Sequence, residues 1–191
     1  MRLFSITALS LFLSLAGCAA ENGTQLASVF DTGVAAYDSG DHAKAYAIWS
    51  GIADQDVAAM RNVAMMLRKG DGVAKDPAAA ENMYRRAAEA GLPTAQADLA
   101  DMLLKGEGGP PNPKAALPLL VAAAAANHPV AQYQLAQMYE TGQEGLVPQN
   151  LETARNLYAA AASHGMKEAA DKVKQLGPPA PSPTPTAASQ P

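Results

Sequence analysis

Cys18 is the only cysteine in this 191-residue sequence, tryptophan also occurs once and histidine three times. A lone thiol excludes an intramolecular disulfide framework, so the fold must hold by packing alone. It also leaves no cysteine to complete a metal set with His42, His128 and His164, none of which stands four residues from another. The 14 basic and 18 acidic residues give a formal net charge of -4. That mild acidity argues against nucleic-acid binding, which calls for a basic stripe. The apolar stretch from Leu3 to Leu15 is too short to span a bilayer as a permanent helix. No serine sits in a nucleophile-elbow pattern, and no strand precedes Gly70-x-Gly72 to make it a phosphate cradle. Asp71 and Asp76 flank a glycine-rich loop without the dense acidic spacing of a calcium site. No enzyme activity, cofactor or metal is therefore expected.

The apolar run follows a single charge, Arg2, and ends in Leu15-Ala16-Gly17-Cys18, which gives a secretory signal. Leucine, two small residues and cysteine resemble the lipobox of bacterial lipoproteins. The resemblance implies cleavage before Cys18 and lipidation of its thiol and new amino group. Ordinary cleavage after Cys18-Ala19-Ala20 is the alternative, with the thiol lost in the discarded peptide. Several acyl chains anchor stably, since each buried methylene contributes about 0.8 kcal/mol. Ala19, in place of an aspartate, resembles the sorting pattern for the outer membrane of a Gram-negative cell. The expected organisation is a signal peptide over 1–17, a linker over 18–27, a helical repeat domain over 28–176 and a proline-rich tail over 177–191. Six prolines and no charge in that tail preclude a core and favour an extended chain.

What dominates the body is an internal period. Ala59, Ala95 and Ala131 stand 36 residues apart, as do Val63, Leu99 and Leu135, Ala64, Ala100 and Ala136, and Gly70, Gly106 and Gly142. A fixed self-similarity of this length marks stacked supersecondary units, each unable to bury its apolar face until a neighbour covers it. Within each unit two helical segments are separated by a Gly-rich loop. Gly70 suits a left-handed helix end, and Asp76-Pro77 supplies an N-cap and a pre-set first helical position, a device repeated by Asn112-Pro113. The third loop is two residues longer, and Asn150 caps there without a following proline.

The second helix of each unit places Ala80, Met83, Tyr84, Ala87 and Ala88 on one face. Ala116, Leu119, Leu120, Ala123 and Ala124 match them, as do Ala154, Leu157, Tyr158, Ala161 and Ala162. Large residues alternating with alanine pairs read as interlocking seams between helices. Gly91, Asn127 and Gly165 end the pairs with residues that tolerate a left-handed cap. Pro118 falls in the second turn of its helix, which predicts a kink or a late start there. The expected units are a diverged pair over 28–56, with Trp49 where Tyr84 stands, then 57–93, 94–129 and 130–165. A capping helix over 166–176 carries Lys167, Lys172 and Lys174 against Glu168 and Asp171.

The run Ala-Gln-x-x-Leu-Ala-x-Met followed by Gly, at Ala95 to Gly106 and Ala131 to Gly142, resembles the Sel-one-like repeat family, a relative of the tetratricopeptide repeat. So does Gly70-Asp71-Gly72-Val73-x-x-Asp76 with Ala80, Tyr84, Ala87-Ala88 and Gly91 after it. The likeness covers residues 57–165 well and 28–56 loosely, and the first unit reads equally as tetratricopeptide-like. It implies an all-α fold, a right-handed α/α superhelix or solenoid of about four antiparallel helix pairs plus the C-terminal cap, whose concave side binds another protein. Some exported members carry a disulfide in each repeat; this chain departs from them.

If the first helices line that concave side, Arg61, Arg68, Asp101, Tyr133 and Gln137 form a polar groove for a partner segment. The simpler reading of any one of them is a solvated face with ordinary salt pairs. The functional expectation is a membrane-anchored interaction scaffold in the cell envelope, held to the outer membrane and facing the periplasm, whose partner is another envelope protein. The second expectation is a component bound to peptidoglycan or another polysaccharide, and the third a hydrolase. Glycan binding calls for exposed aromatics, and with Trp49, Tyr84 and Tyr158 placed for the core only Tyr133 and Tyr37 are left for it.

Overall fold

A computed structural model describes residues 7–177, with side chains from residue 23 onward. The Cys18 side chain and the tail beyond Gly177 lie outside the described residues, so lipidation and an extended tail stand as expectations. Among the described residues the chain is all helix: α1 (Thr7–Asp38), α2 (His42–Ile52), α3 (Val57–Lys69), α4 (Pro77–Glu89), α5 (Pro93–Lys105), α6 (Pro113–Ala125), α7 (Pro129–Thr141), α8 (Leu151–Ser163) and α9 (Lys167–Leu176). No described helix is long and apolar enough to cross a membrane. α1 runs without a break through residue 28, where the sequence pattern begins the first hairpin.

The helices fall into two compact units that divide after Leu92. In the first, α1 packs on α2, α2 on α3 and α3 on α4. In the second, α5 packs on α6, α6 on α7, α7 on α8 and α8 on α9.

Capping sets the boundaries. Asp56, Asp76, Asn112 and Asn150 each accept a hydrogen bond from the backbone N–H three residues on, at 2.8, 2.9, 3.0 and 3.0 Å. Such a bond satisfies one of the four donors that a helix start leaves open, and is worth about 1 kcal/mol. At the other end Gly70 closes α3 in the left-handed region. Asn127 does the same after α6, and with φ 61° it is the one non-glycine residue with positive φ among the described residues. Asparagine tolerates that region because its short amide bonds locally. α6 begins at Pro113, so the late start expected from Pro118 is not found. The Asn112 cap and Pro113 fix the first turn, and Pro118 is exposed, so the carbonyl it leaves without an N–H partner faces water.

Alanine fills the seams. Ala59, Ala95 and Ala131 are fully buried, as are Ala64, Ala100 and Ala136 on the first helices and Ala80, Ala116 and Ala154 on the second. Tyr84, Leu120 and Tyr158 are the large buried side chains of the second helices, all at or below 1% exposure, and Tyr158 packs with Ala136, Ala154 and Ala161. In the first hairpin Trp49 takes this role at 3% exposure, with its indole N–H donating to the Phe30 carbonyl at 3.2 Å. Its indole lies against Gly33 of α1, where an added Cβ would fall 2.4 Å from Trp49 Nε1.

Gly33 therefore tests this packing with a definite sign. Helix propensity alone makes Gly33→Ala stabilising by about 1 kcal/mol. The collision with the indole reverses the sign, and we expect a net loss of about 1–3 kcal/mol in urea denaturation, with a shift in Trp49 fluorescence.

Candidate functional site

α5 and α7 are equivalent first helices of successive hairpins, and they bring two of the five sequence-chosen residues together. Asp101 of α5 and Gln137 of α7 line one hollow of about 310 Å³, together with Leu104, Lys105, Gln134 and Met138. Asp101 is the centre of its hydrogen bonding. One carboxylate oxygen accepts from the Gln134 amide at 3.0 Å, and the other from Lys105 Nζ at 2.8 Å. The side chain of Asp101 is 19% exposed and that of Lys105 58%, so the carboxylate lies deeper than the cation. The carbonyl oxygen of Gln134 is buried and has no donor within reach. Gln137 is exposed at the mouth.

The other three residues are placed differently. Tyr133 turns away from the hollow and packs its ring on Tyr158, with centroids 5.3 Å apart and planes tilted by 59°. Arg61 and Arg68 belong to α3 in the other unit, half-buried and engaged by neighbouring groups. Gln134 is the residue that sequence reasoning missed. The signal was present: Gln137 matches Asp101 across one period, and one helical turn earlier on the same face is Gln134.

Two further clusters join one hairpin to the next within a unit. Asp71, in the α3–α4 loop, receives the Tyr37 hydroxyl at 2.9 Å and pairs with His42 Nδ1, while Tyr37 stacks on the His42 ring at 4.5 Å. Sequence reasoning gave Asp71 only a place in a glycine-rich turn and did not pair it with Tyr37 or His42. The His42 hydrogen bond is the main cause that holds the Asp71 carboxyl below its ordinary range, outweighing burial, and the bond to Asp71 pushes the Tyr37 hydroxyl up. In the second unit Glu140 of α7 accepts from Tyr158 at 2.5 Å and from Lys172 of α9 at 2.9 and 3.0 Å. Burial alone raises the Glu140 pKa, yet these two donors overcome it and hold it low. Lys172 thus ties the capping helix to the preceding hairpin, where the sequence placed it among the charges of its own helix. Burial and the Glu140 carboxylate together push the Tyr158 hydroxyl well above its ordinary value.

Neither cluster contains a serine, threonine or cysteine, and no group of three metal-ligating side chains occurs among the described residues. The geometry is that of an α/α repeat protein with a polar recess. A family model for the Sel1 repeat matches residues 57–92, 93–128 and 129–166, and the chain belongs to that family. Its proteins generally mediate protein–protein interaction and are typically non-catalytic scaffolds. Among solved structures it is similar to a Sel1 repeat protein from Oxalobacter formigenes, with TM-score 0.73 and 28% identity over 77% of this chain and 60% of that one. It is also similar to c5321, a protective antigen of uropathogenic Escherichia coli with an SLR fold, with TM-score 0.74 and 28% identity over 83% of this chain and 34% of that one. A sel1 repeat protein from Klebsiella pneumoniae subsp. pneumoniae shares the fold at 15% identity and TM-score 0.51. The chain thus spans less than two thirds of the length of the first two. Comparison with curated proteins finds no match. The expected α/α solenoid class is the fold these structures share with it.

The Asp71 cluster has a pH signature. A carboxyl depressed in the folded state contributes stability above its unfolded pKa, and that contribution is lost as pH falls through the lower folded value. Between about pH 5 and pH 3 the wild type should therefore lose more stability than Asp71→Asn, measured by urea denaturation at each pH.

Proposed function

We propose that this protein is a membrane-anchored interaction scaffold of the bacterial cell envelope, lipidated at Cys18, held at the outer membrane and facing the periplasm. The observation that carries the binding role is the recess between α5 and α7. A half-buried carboxylate and an amide line it beside Leu104 and Met138, a mixture that suits a protein side chain. The lipobox and signal pattern of residues 1–18 support the anchoring, and the family's habit of binding other proteins supports the class of partner. A glycan-binding role is less well supported. Tyr37 and Tyr133, the aromatics left for sugar stacking, each set the ring against a neighbouring aromatic. A hydrolytic role has no cluster to carry it among the described residues.

The test is a photo-crosslinking residue at Gln137 of the tagged full-length protein in growing cells, with Ala122 on the exposed side of α6 as control. A discrete protein adduct should form from Gln137, be absent from Ala122, and fall at least about tenfold with Asp101→Arg, which reverses the charge of the recess. Cys18→Ser should release the protein from the membrane fraction. Adducts with cell-wall fragments alone would replace the scaffold reading with the glycan one.

A further inference from the structure

We infer that residues 178–191 of this chain are the first occupant of the α5–α7 recess, folding back over the α7–α8 loop, and that the partner must displace them. The inference rests on the recess being the docking site, and it names what the partner competes with.

The chain leaves α9 beside the recess. Lys172 of α9 donates to Glu140 of α7, and Glu140 is followed at once by Thr141, which lines the recess. One turn further on, Arg155 of α8 donates from Nε to the Leu176 carbonyl at 2.7 Å, which fixes the end of α9 against the first half of α8. The α7–α8 loop that leads into α8 contributes Gln143. That residue lines the recess, a hollow of about 480 Å³ within the loop, and a third hollow of about 310 Å³ shared with Pro111 and Lys114. Open surface therefore connects the loop beside the exit to the recess. Residues 178–191 can span about 43 Å at about 3.1 Å each, against about 10 Å between packed helices.

Recess and segment match in charge. Asp101 and Lys105 are the charged side chains of the lining, and they pair with each other while Asp101 also accepts from Gln134. A ligand that brought its own charge would bury it without a counter-charge, at a cost. Residues 178–191 bring no charged side chain: six are proline, and the rest are alanine, serine, threonine and glutamine. Proline rings are apolar, and Leu104 and Met138 on the walls suit them. A backbone with this much proline keeps its carbonyls but lacks an N–H at each ring, so it is short of donors. The side-chain amides of Gln137 and Gln143, which both line the recess, supply N–H groups to those carbonyls. Weak contacts are enough, because a short tether gives an effective concentration of the order of millimolar.

The experiment places a photo-crosslinking residue at Gln143 of the full-length protein in detergent micelles, mixes light and heavy isotope-labelled copies, and maps the adducts by mass spectrometry. Adducts within one chain between position 143 and residues 178–191 are expected, with none from the Ala122 control. A synthetic peptide of residues 177–191 should bind saturably to the chain lacking 178–191, whose fold circular dichroism confirms. It should bind the full chain at least about tenfold more weakly, because the site is filled. Pro181→Asp with Pro183→Asp in the peptide should weaken it about tenfold or more, since Lys105 is already engaged by Asp101. In cells, deleting 178–191 should raise the protein adduct from Gln137 about threefold or more. Equal peptide binding by the full and shortened chains, binding by neither, adducts only between chains, undiminished binding of the aspartate peptide, or an unchanged adduct in cells would each overturn the inference. If it fails while Gln137 still crosslinks a protein in cells, the scaffold reading stands with an empty recess. If the adduct within the chain forms but no protein is captured with or without residues 178–191, the segment fills the recess and the scaffold reading is wrong.

Discussion

Alanine at the seams is the constraint on which the rest of each unit depends. Ala64, Ala100 and Ala136 on first helices, and Ala80, Ala116 and Ala154 on second helices, have no measurable exposure. A methyl side chain lets helix surfaces approach closely at little cost in side-chain entropy, and it favours the helix at the same time. The large residues then have defined sockets: Tyr84, Leu120 and Tyr158 are buried to 1% exposure or less, and Tyr158 clusters with Ala136, Ala154 and Ala161 of its own hairpin. Because the same column recurs at each period, α5 and α7 present equivalent faces, and Asp101 and Gln134 come within hydrogen-bond reach. The recess is thus a product of alanine packing beneath it.

Hairpin-to-hairpin polar ties follow the same logic. Gln134 to Asp101, Lys172 to Glu140 and Arg86 to Asp54 are separated by 33, 32 and 32 residues, a period shortened by about one helical turn. Side chains on a helix lean toward its N-terminus, so a residue meets the neighbouring hairpin about one turn away from its exact repeat equivalent. Exposed ties such as Arg86 with Asp54 add little stability. Half-buried ones, such as Glu140 with Tyr158 and Lys172, orient the elements they join.

The fold was legible because its grammar is local. A 36-residue period, a capping Asp or Asn before each second helix, and Gly or Asn after the last three of them are all readable without knowing any contact. Asn127 shows how far this goes, since its positive φ matches the glycines at the equivalent helix ends. The site was legible only in part. Asp101 and Gln137 are repeat equivalents and meet in one recess, but Tyr133, one turn from Gln137 on the same helix, turns to Tyr158. The pairing of His42 with Asp71 was hidden for a different reason. It joins the first residue of α2 to a loop, and in α4 and α6 that first position is Pro77 or Pro113, so no repetition announces it.

The central claim is that the seams are sized for alanine, and Ala136 tests it most directly because it lies buried against Tyr158, Ala154 and Ala161. The measurement is the urea-denaturation free energy of full-length Ala136→Leu against wild type, with the exposed alanine Ala122 changed to Leu as control. The account predicts a loss of about 1–3 kcal/mol at Ala136 despite the added apolar surface, and a change within about 0.5 kcal/mol at Ala122. A stabilising or neutral Ala136→Leu would show that the helices have slack between them, and would contradict the packing from which the recess is derived.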